Sequence, residues 1–134
     1  PVGWEYLADP SAANVGNPHI VFFRPGMDMA EAARLGAVIE TDPLFPARIN
    51  VNFAEVESPG RIRLIVWERG AGITRACGTG ACATAVAAIR RGLAKGPVTL
   101  PGGELTIDWQ PGGSISMRGP ATHVFDGEAD WSRF

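Results

Sequence analysis

Hydrophobic positions in this chain come as short runs fenced by glycine, proline, asparagine and serine, with one longer run of small side chains set among them. Short apolar runs between turn residues predict strands, and a longer alanine-rich run predicts a helix. Strands are accordingly expected over residues 19–23, 49–56, 61–67, 98–100, 105–109, 115–118 and 123–128, with a further short one at 4–7 inside an otherwise turn-rich opening. The breaks carry turn chemistry: Gly16-Asn17-Pro18, the hairpin turn Ser58-Pro59-Gly60, and Pro-Gly-Gly at both 101–103 and 111–113. Residues 45–48, interrupted by Pro46, read as a loop leading into the strand that follows.

Helical signals are confined to two segments. Asp28 with Glu31 three positions later makes a capping box, from which Ala32, Ala33 and Leu35 continue a short helix that Gly36 is placed to end. Its acids and Arg34 read as a solvated face. Residues 79–91 are apolar nearly all round, so this helix must be buried, and its small side chains let strands approach its axis. Arg90, Arg91 and Gly92 close it with cations at the negative end and a glycine just past the last turn. The expected fold class is α+β, a mixed or antiparallel sheet wrapped around a central buried helix.

A length of 134 residues fits one domain with its own core, and 46% hydrophobic with 19% charged residues is ordinary for a globular protein. The net charge of −2, without a Lys/Arg cluster, argues against nucleic acid. No apolar run approaches the roughly 18 residues of a membrane span. The chain opens on proline with no signal-peptide pattern, and it is expected to be a piece of a longer cytoplasmic protein. Two cysteines spaced Cys-x4-Cys, with His19 and His123 far from them, do not make a zinc pattern. Both are read as reduced thiols.

Cys77 changes the picture, because it sits at the mouth of the buried helix, after a glycine-rich turn. A helix start carries unpaired N–H groups and about half a positive charge, so a thiolate there is expected to be stabilised. Gly78 and Gly80 let backbone amides approach a bound group, and the same turn could hold a carboxylate. Cys82, inside the apolar run, fits the plainer role of a buried small hydrophobe. Glu68 and Arg69 stand at the end of the strand before the turn, a pairing that suits an ammonium and a carboxylate together. Asn50 and Asn52, two apart, share one face of their strand.

The run Glu68-Arg69-Gly70-Ala71-Gly72-Ile73-Thr74-Arg75-Ala76-Cys77-Gly78-Thr79-Gly80-Ala81-Cys82-Ala83 resembles the C-terminal signature of the diaminopimelate epimerases, cofactor-independent amino-acid epimerases. Gly16-Asn17-Pro18-His19 and the stretch from Phe45 to Phe53 fit the family in the same order. The resemblance covers nearly the whole chain but only the C-terminal lobe of a two-lobed protein. The other lobe, with its own Cys-Gly-Asn-Gly turn, has no counterpart here. What it implies is a two-base exchange at Cα without metal or cofactor, with Cys77, His19 and Glu68 as catalytic residues and His19 in support. Asn17, Asn50, Glu68 and Arg69 would bind diaminopimelate at its non-reacting centre, and Gly78 and Thr79 would cradle the reacting carboxylate. It leaves Asn52 undecided between an amide satisfied by backbone and a contact to the substrate. The partners implied are that substrate and the N-terminal lobe, toward which residues 123–134 would pack, Trp131 and Phe134 among them. A pair of copies would be the substitute.

Other readings differ in what they require. Proline racemase-like and phenazine-biosynthesis-like proteins share the two-lobed fold, and the former also carry Cys-Gly-Thr-Gly. Gly78-x-Gly80-x-x-Ala83 matches a relaxed dinucleotide fingerprint, but no strand leads directly into Gly78 and no acid stands about 20 residues on. A non-catalytic binding domain is the third.

Overall fold

In the computed structural model, residues 3–94 and 96–133 are described. A curled sheet runs in the order β1 (Ser11–Asn14), β2 (Pro18–Phe23), β3 (Asn50–Ser58), β4 (Arg61–Glu68), β6 (Gly96–Leu100), β7 (Gly103–Asp108), β8 (Ser116–Arg118), with β5 (Gly72–Thr74) paired to β4. Helix α1 (Met29–Glu40) lies on one face and α2 (Gly78–Arg90) on the other. The pairings β2–β3 and β4–β6 are parallel and the others antiparallel, so the sheet is mixed. Strands β1 to β4, β6 and β7 all contact α2, so the sheet wraps this helix as its composition required.

Alternation along the strands divides the core in two. Val21, Ala54, Leu64 and Val66 point toward α2 and meet Ala81, Ala85 and Ala88. Their neighbours Ile20, Phe22, Val51, Phe53 and Ile65 point the other way, onto Leu35 and Ile39 of α1. By the same parity, His19 of β2, Asn52 of β3 and Glu68 of β4 belong to the α2 side. The parallel register that sets His19 beside Asn50 and Val21 beside Asn52 gathers these polar groups at one end of the concave face.

Several expectations needed correction. Residues 4–7 form a turn, with the Leu7 N–H donating to the Trp4 carbonyl at 3.0 Å, and both side chains are buried on the α1 side. The strand of this opening segment is β1, antiparallel to β2, in the small-residue stretch Ser-Ala-Ala-Asn whose weak β-propensity hides it. Gly36 does not end α1, which runs on to Glu40 with Thr41 as its cap. The glycine is there for contact: a Cβ at position 36 would lie 2.4 Å from Trp67 Cγ. The glycine turn after β4 contains β5, which folds back antiparallel on β4 and so is not the strand of a dinucleotide-binding unit. Residues 123–128 are exposed and pair with no strand, Val124 and Phe125 being 83% and 79% accessible. Phe134 lies outside the described residues.

The start of α1 and the end of α2 follow their sequence signals closely. Asp28 caps α1 by accepting from the Glu31 N–H at 2.7 Å. Gly92, at φ +66, ends α2 in a Schellman arrangement, its N–H on the Ile89 carbonyl and that of Leu93 on Ala88.

Candidate active site

The N-cap of α2 is Cys77 itself. Its backbone is extended (φ −145, ψ 101), and its sulfur accepts the Gly80 N–H at 3.4 Å, as a serine or aspartate oxygen does in most helices. The Thr79 hydroxyl lies 3.6 Å from the same sulfur. The turn between β6 and β7 steadies the approach to this cap, the Gly102 N–H donating to the Arg75 carbonyl at 2.6 Å. Gly80 is where helix and sheet close: a Cβ on it would sit 3.0 Å from Asn52 Oδ1, 3.1 Å from Val66 Cγ2 and 3.2 Å from Cys77 Sγ. A Cβ on Gly78 would meet Met117 at 3.2 Å. In this structure both glycines admit protein neighbours.

From the cap, a polar chain crosses to β2 and β3. The Asn17 amide donates to Thr79 Oγ1 at 3.2 Å, and its carbonyl oxygen faces His19 Nε2 at 3.1 Å. The Asn52 amide nitrogen meets His19 Nδ1 at 3.0 Å. With the Asn52 amide nitrogen as donor, Nδ1 is the acceptor, an arrangement that matches the neutral ring with its proton on Nε2. Burial holds the His19 pKa below its ordinary value, outweighing the Asn52 contact and the Glu68 charge that favour protonation.

Glu68 closes the site from β4. Its Oε1 accepts the Thr74 hydroxyl at 2.5 Å, across the β4–β5 pair. The expectation of a depressed Cys77 pKa is not met. The side chain is only 6% exposed, and burial pushes the thiol above its ordinary value. The Thr79 and Gly80 donors pull the other way, but Glu68 adds to the rise with its charge and a hydrogen bond. Desolvation beside a carboxylate outweighs the helix start. Cys82 is half-buried with its sulfur 4.0 Å from Met117 Sδ, and burial raises its pKa as well.

Asn50 and Arg69 form a neighbouring group. The buried Asn50 amide donates to the Pro18 carbonyl at 2.8 Å and accepts the Arg69 N–H at 2.9 Å, tying the start of β2 to the turn after β4. The Arg69 guanidinium is exposed and donates to the Ala47 carbonyl at 3.0 Å. Of the expected site residues, the structure therefore sets Thr79 and Glu68 against the Cys77 sulfur and joins Asn17 and His19 to it through Thr79, with Gly78 as the first helical residue. Asn50 and Arg69 stand beside them.

Sequence reasoning missed Thr74 and Glu40. Glu40, at the end of α1 and 5% exposed, accepts from the Trp67 indole at 2.7 Å, the Gly70 N–H at 2.9 Å and Arg48 at 3.4 Å. Burial pushes its carboxyl up, but these donors together hold it below the usual carboxylate value. It anchors the turn that carries Glu68 and Arg69. An acid at a helix C-terminus, against the dipole, was the available signal. Among the described residues no cluster of three or more His, Cys, Asp or Glu could hold a metal, and no helix is long and apolar enough to cross a membrane.

A solved structure of a phenazine biosynthesis protein of the PhzF family from Bacillus anthracis matches 81% of this chain with a TM-score of 0.57 and 20% identity, over 37% of its own length. That likeness defines the class of fold, a curled α+β unit around a central helix. A sequence model of the family described as diaminopimelate epimerase matches residues 11–124. Diaminopimelate epimerases of Rhizorhabdus wittichii, Sphingopyxis alaskensis and Zymomonas mobilis are 67%, 60% and 56% identical across all of this chain. The chain belongs to the diaminopimelate epimerase family, and it spans about half the length of these relatives, 50%, 51% and 51%.

Proposed function

We propose that this chain supplies one of two proton-transfer groups of a cofactor-independent epimerase that interconverts LL- and meso-diaminopimelate, a reaction of lysine and peptidoglycan precursor synthesis. The observation that carries the reading is the thiol of Cys77 at the α2 start, with a hydroxyl and a backbone N–H on its sulfur, Glu68 beside it, and His19 linked to that hydroxyl through Asn17. Inverting a carbon acid requires a base on one face and an acid on the other. In the direction that uses Cys77 as acid, a thiolate from the other half of the protein takes the Cα proton. The Cys77 S–H proton then goes to the opposite face of the carbon, leaving Cys77 as thiolate. The reverse direction exchanges the roles. A sulfur whose pKa is raised holds its proton at neutral pH, which suits the acid role, and the Thr79 and Gly80 donors can receive the thiolate that results.

Backbone N–H groups at the α2 start, from Gly78 and Thr79, would stabilise charge developing on the reacting carboxylate. Glu68, Arg69, Asn17 and Asn50 would recognise the distal amino-acid centre. His19, uncharged, keeps Asn17 and Thr79 in place. Residues 119–133, with Val124, Phe125 and Trp131 exposed, are assigned to the surface that the N-terminal half covers.

The chain alone is expected to fold and not to epimerise. Mixed with the amino-terminal half of the Rhizorhabdus wittichii relative, it is expected to convert LL- to meso-diaminopimelate in D2O with one solvent deuterium entering Cα per inversion. Cys77→Ala should abolish this. Turnover by the chain alone, or undiminished turnover by the mixed Cys77→Ala variant, would defeat the proposal. Light scattering on a sizing column separates a monomer from a pair of copies.

A further inference from the structure

Asn52 is fully buried, and its Oδ1 has no hydrogen-bond partner. That oxygen lies against Gly80, in the first turn of α2, where the amide ends give a positive field. The field orients the amide: oxygen toward the helix start, Nδ2 toward His19. Each later contact then follows from hydrogen-bond arithmetic. His19 Nδ1 accepts, so Nε2 carries the proton and donates to Asn17 Oδ1 at 3.1 Å. Asn17 is thereby turned with Nδ2 toward Thr79 Oγ1 at 3.2 Å. With a lone pair of that oxygen occupied, the Thr79 hydroxyl proton is free to point at Cys77 Sγ, 3.6 Å away.

We propose that Asn52 is a positioning residue that fixes the His19 tautomer and, through Asn17, turns the Thr79 hydroxyl proton onto the Cys77 sulfur. Every link donates in the same direction, and the orphan oxygen of Asn52 is what sets that direction. With the opposite amide orientation the Nδ1–H tautomer would form, Asn17 would present its oxygen to Thr79, and the hydroxyl proton would leave the sulfur. The assignment rests on Cys77 being the proton-transfer group only for its meaning in catalysis. The chain of donors stands on geometry.

Long-range 1H–15N correlation spectra of the 134-residue protein read the tautomer directly. His19 is expected as neutral Nε2–H at pH 7, and an Nδ1–H or doubly protonated ring would overturn the proposal. Iodoacetamide alkylation, followed at Cys77 by peptide mass, reads the other end of the chain. Asn52→Leu is expected to slow it about three- to ten-fold at pH 8 and to add nothing in a Thr79→Val background. Glu68 and Cys82, the other groups whose charge bears on Cys77, are unchanged in every variant. Rate losses that multiply in the double variant, or no loss in Asn52→Leu, would refute the relay. Should Asn52→Leu not fold, the tautomer of the unsubstituted protein decides alone. No arm reads turnover, so failure of the epimerase reading and failure of this one are distinguishable.

Discussion

Replacing Gly36 with alanine sets two forces of opposite sign against each other at one atom. In the interior of α1, alanine is favoured over glycine by about 1 kcal/mol of helix propensity. The added Cβ, however, would lie 2.4, 2.5 and 2.7 Å from Cγ, Cβ and Cδ2 of Trp67, where carbon contacts are comfortable only at about 3.5–4.0 Å. These atoms are the root of the side chain, not its free end, so rotation about χ1 cannot clear all of them and α1 must lift from β4. Overpacking of this kind costs about 1–3 kcal/mol, and three contacts this short argue for the upper end. The net expectation is a loss of about 2 kcal/mol. In urea, with a slope of about 2 kcal/mol per molar, the midpoint should fall by about 1 M at unchanged slope. Ala37→Gly on the exposed side of α1 is the control and should lose only the propensity, about 1 kcal/mol. An unchanged or raised midpoint for Gly36→Ala would show that Trp67 does not hold the position described, and with it the anchoring of the Glu68 turn.

Glu40→Gln should cost about 1–3 kcal/mol, because one carboxylate oxygen becomes an NH2 group facing the Trp67 or Gly70 donor. The same residue predicts a pH dependence. Its folded-state pKa is lowered, so its contribution is intact above about pH 4.5, the unfolded value, and is lost as pH falls through the folded value. Stability measured from pH 6 down to pH 3 should therefore decline less steeply in Glu40→Gln than in the parent, and an identical decline would remove Glu40 from the account. Glu68→Gln should speed alkylation of Cys77 at pH 7–8 about three- to ten-fold, since it removes a charge that disfavours the thiolate, one pKa unit being tenfold in thiolate fraction. A slower reaction would mean that Glu68 acts on the sulfur in the opposite sense.

What the amino-acid order determined by itself is local. The apolar run at 79–91, the cysteine at its mouth and the glycine past its end pointed to a buried helix, and Glu68 drew notice from its place at a strand end, whereas Asn17, His19 and Thr79 became candidates only through the resemblance of the motifs that carry them. What only the tertiary structure decided is which groups share a space and how much water reaches them. His19 and Asn52 are 33 residues apart and meet because β2 and β3 pair in parallel at one register, which no local pattern encodes. Gly36 looked like a helix stop because a missing side chain carries no label for its reason, and the reason was an indole from another strand. The charge state of Cys77 was misjudged for the same cause: the helix start is visible in sequence, whereas desolvation and a facing carboxylate exist only once the sheet has curled around it.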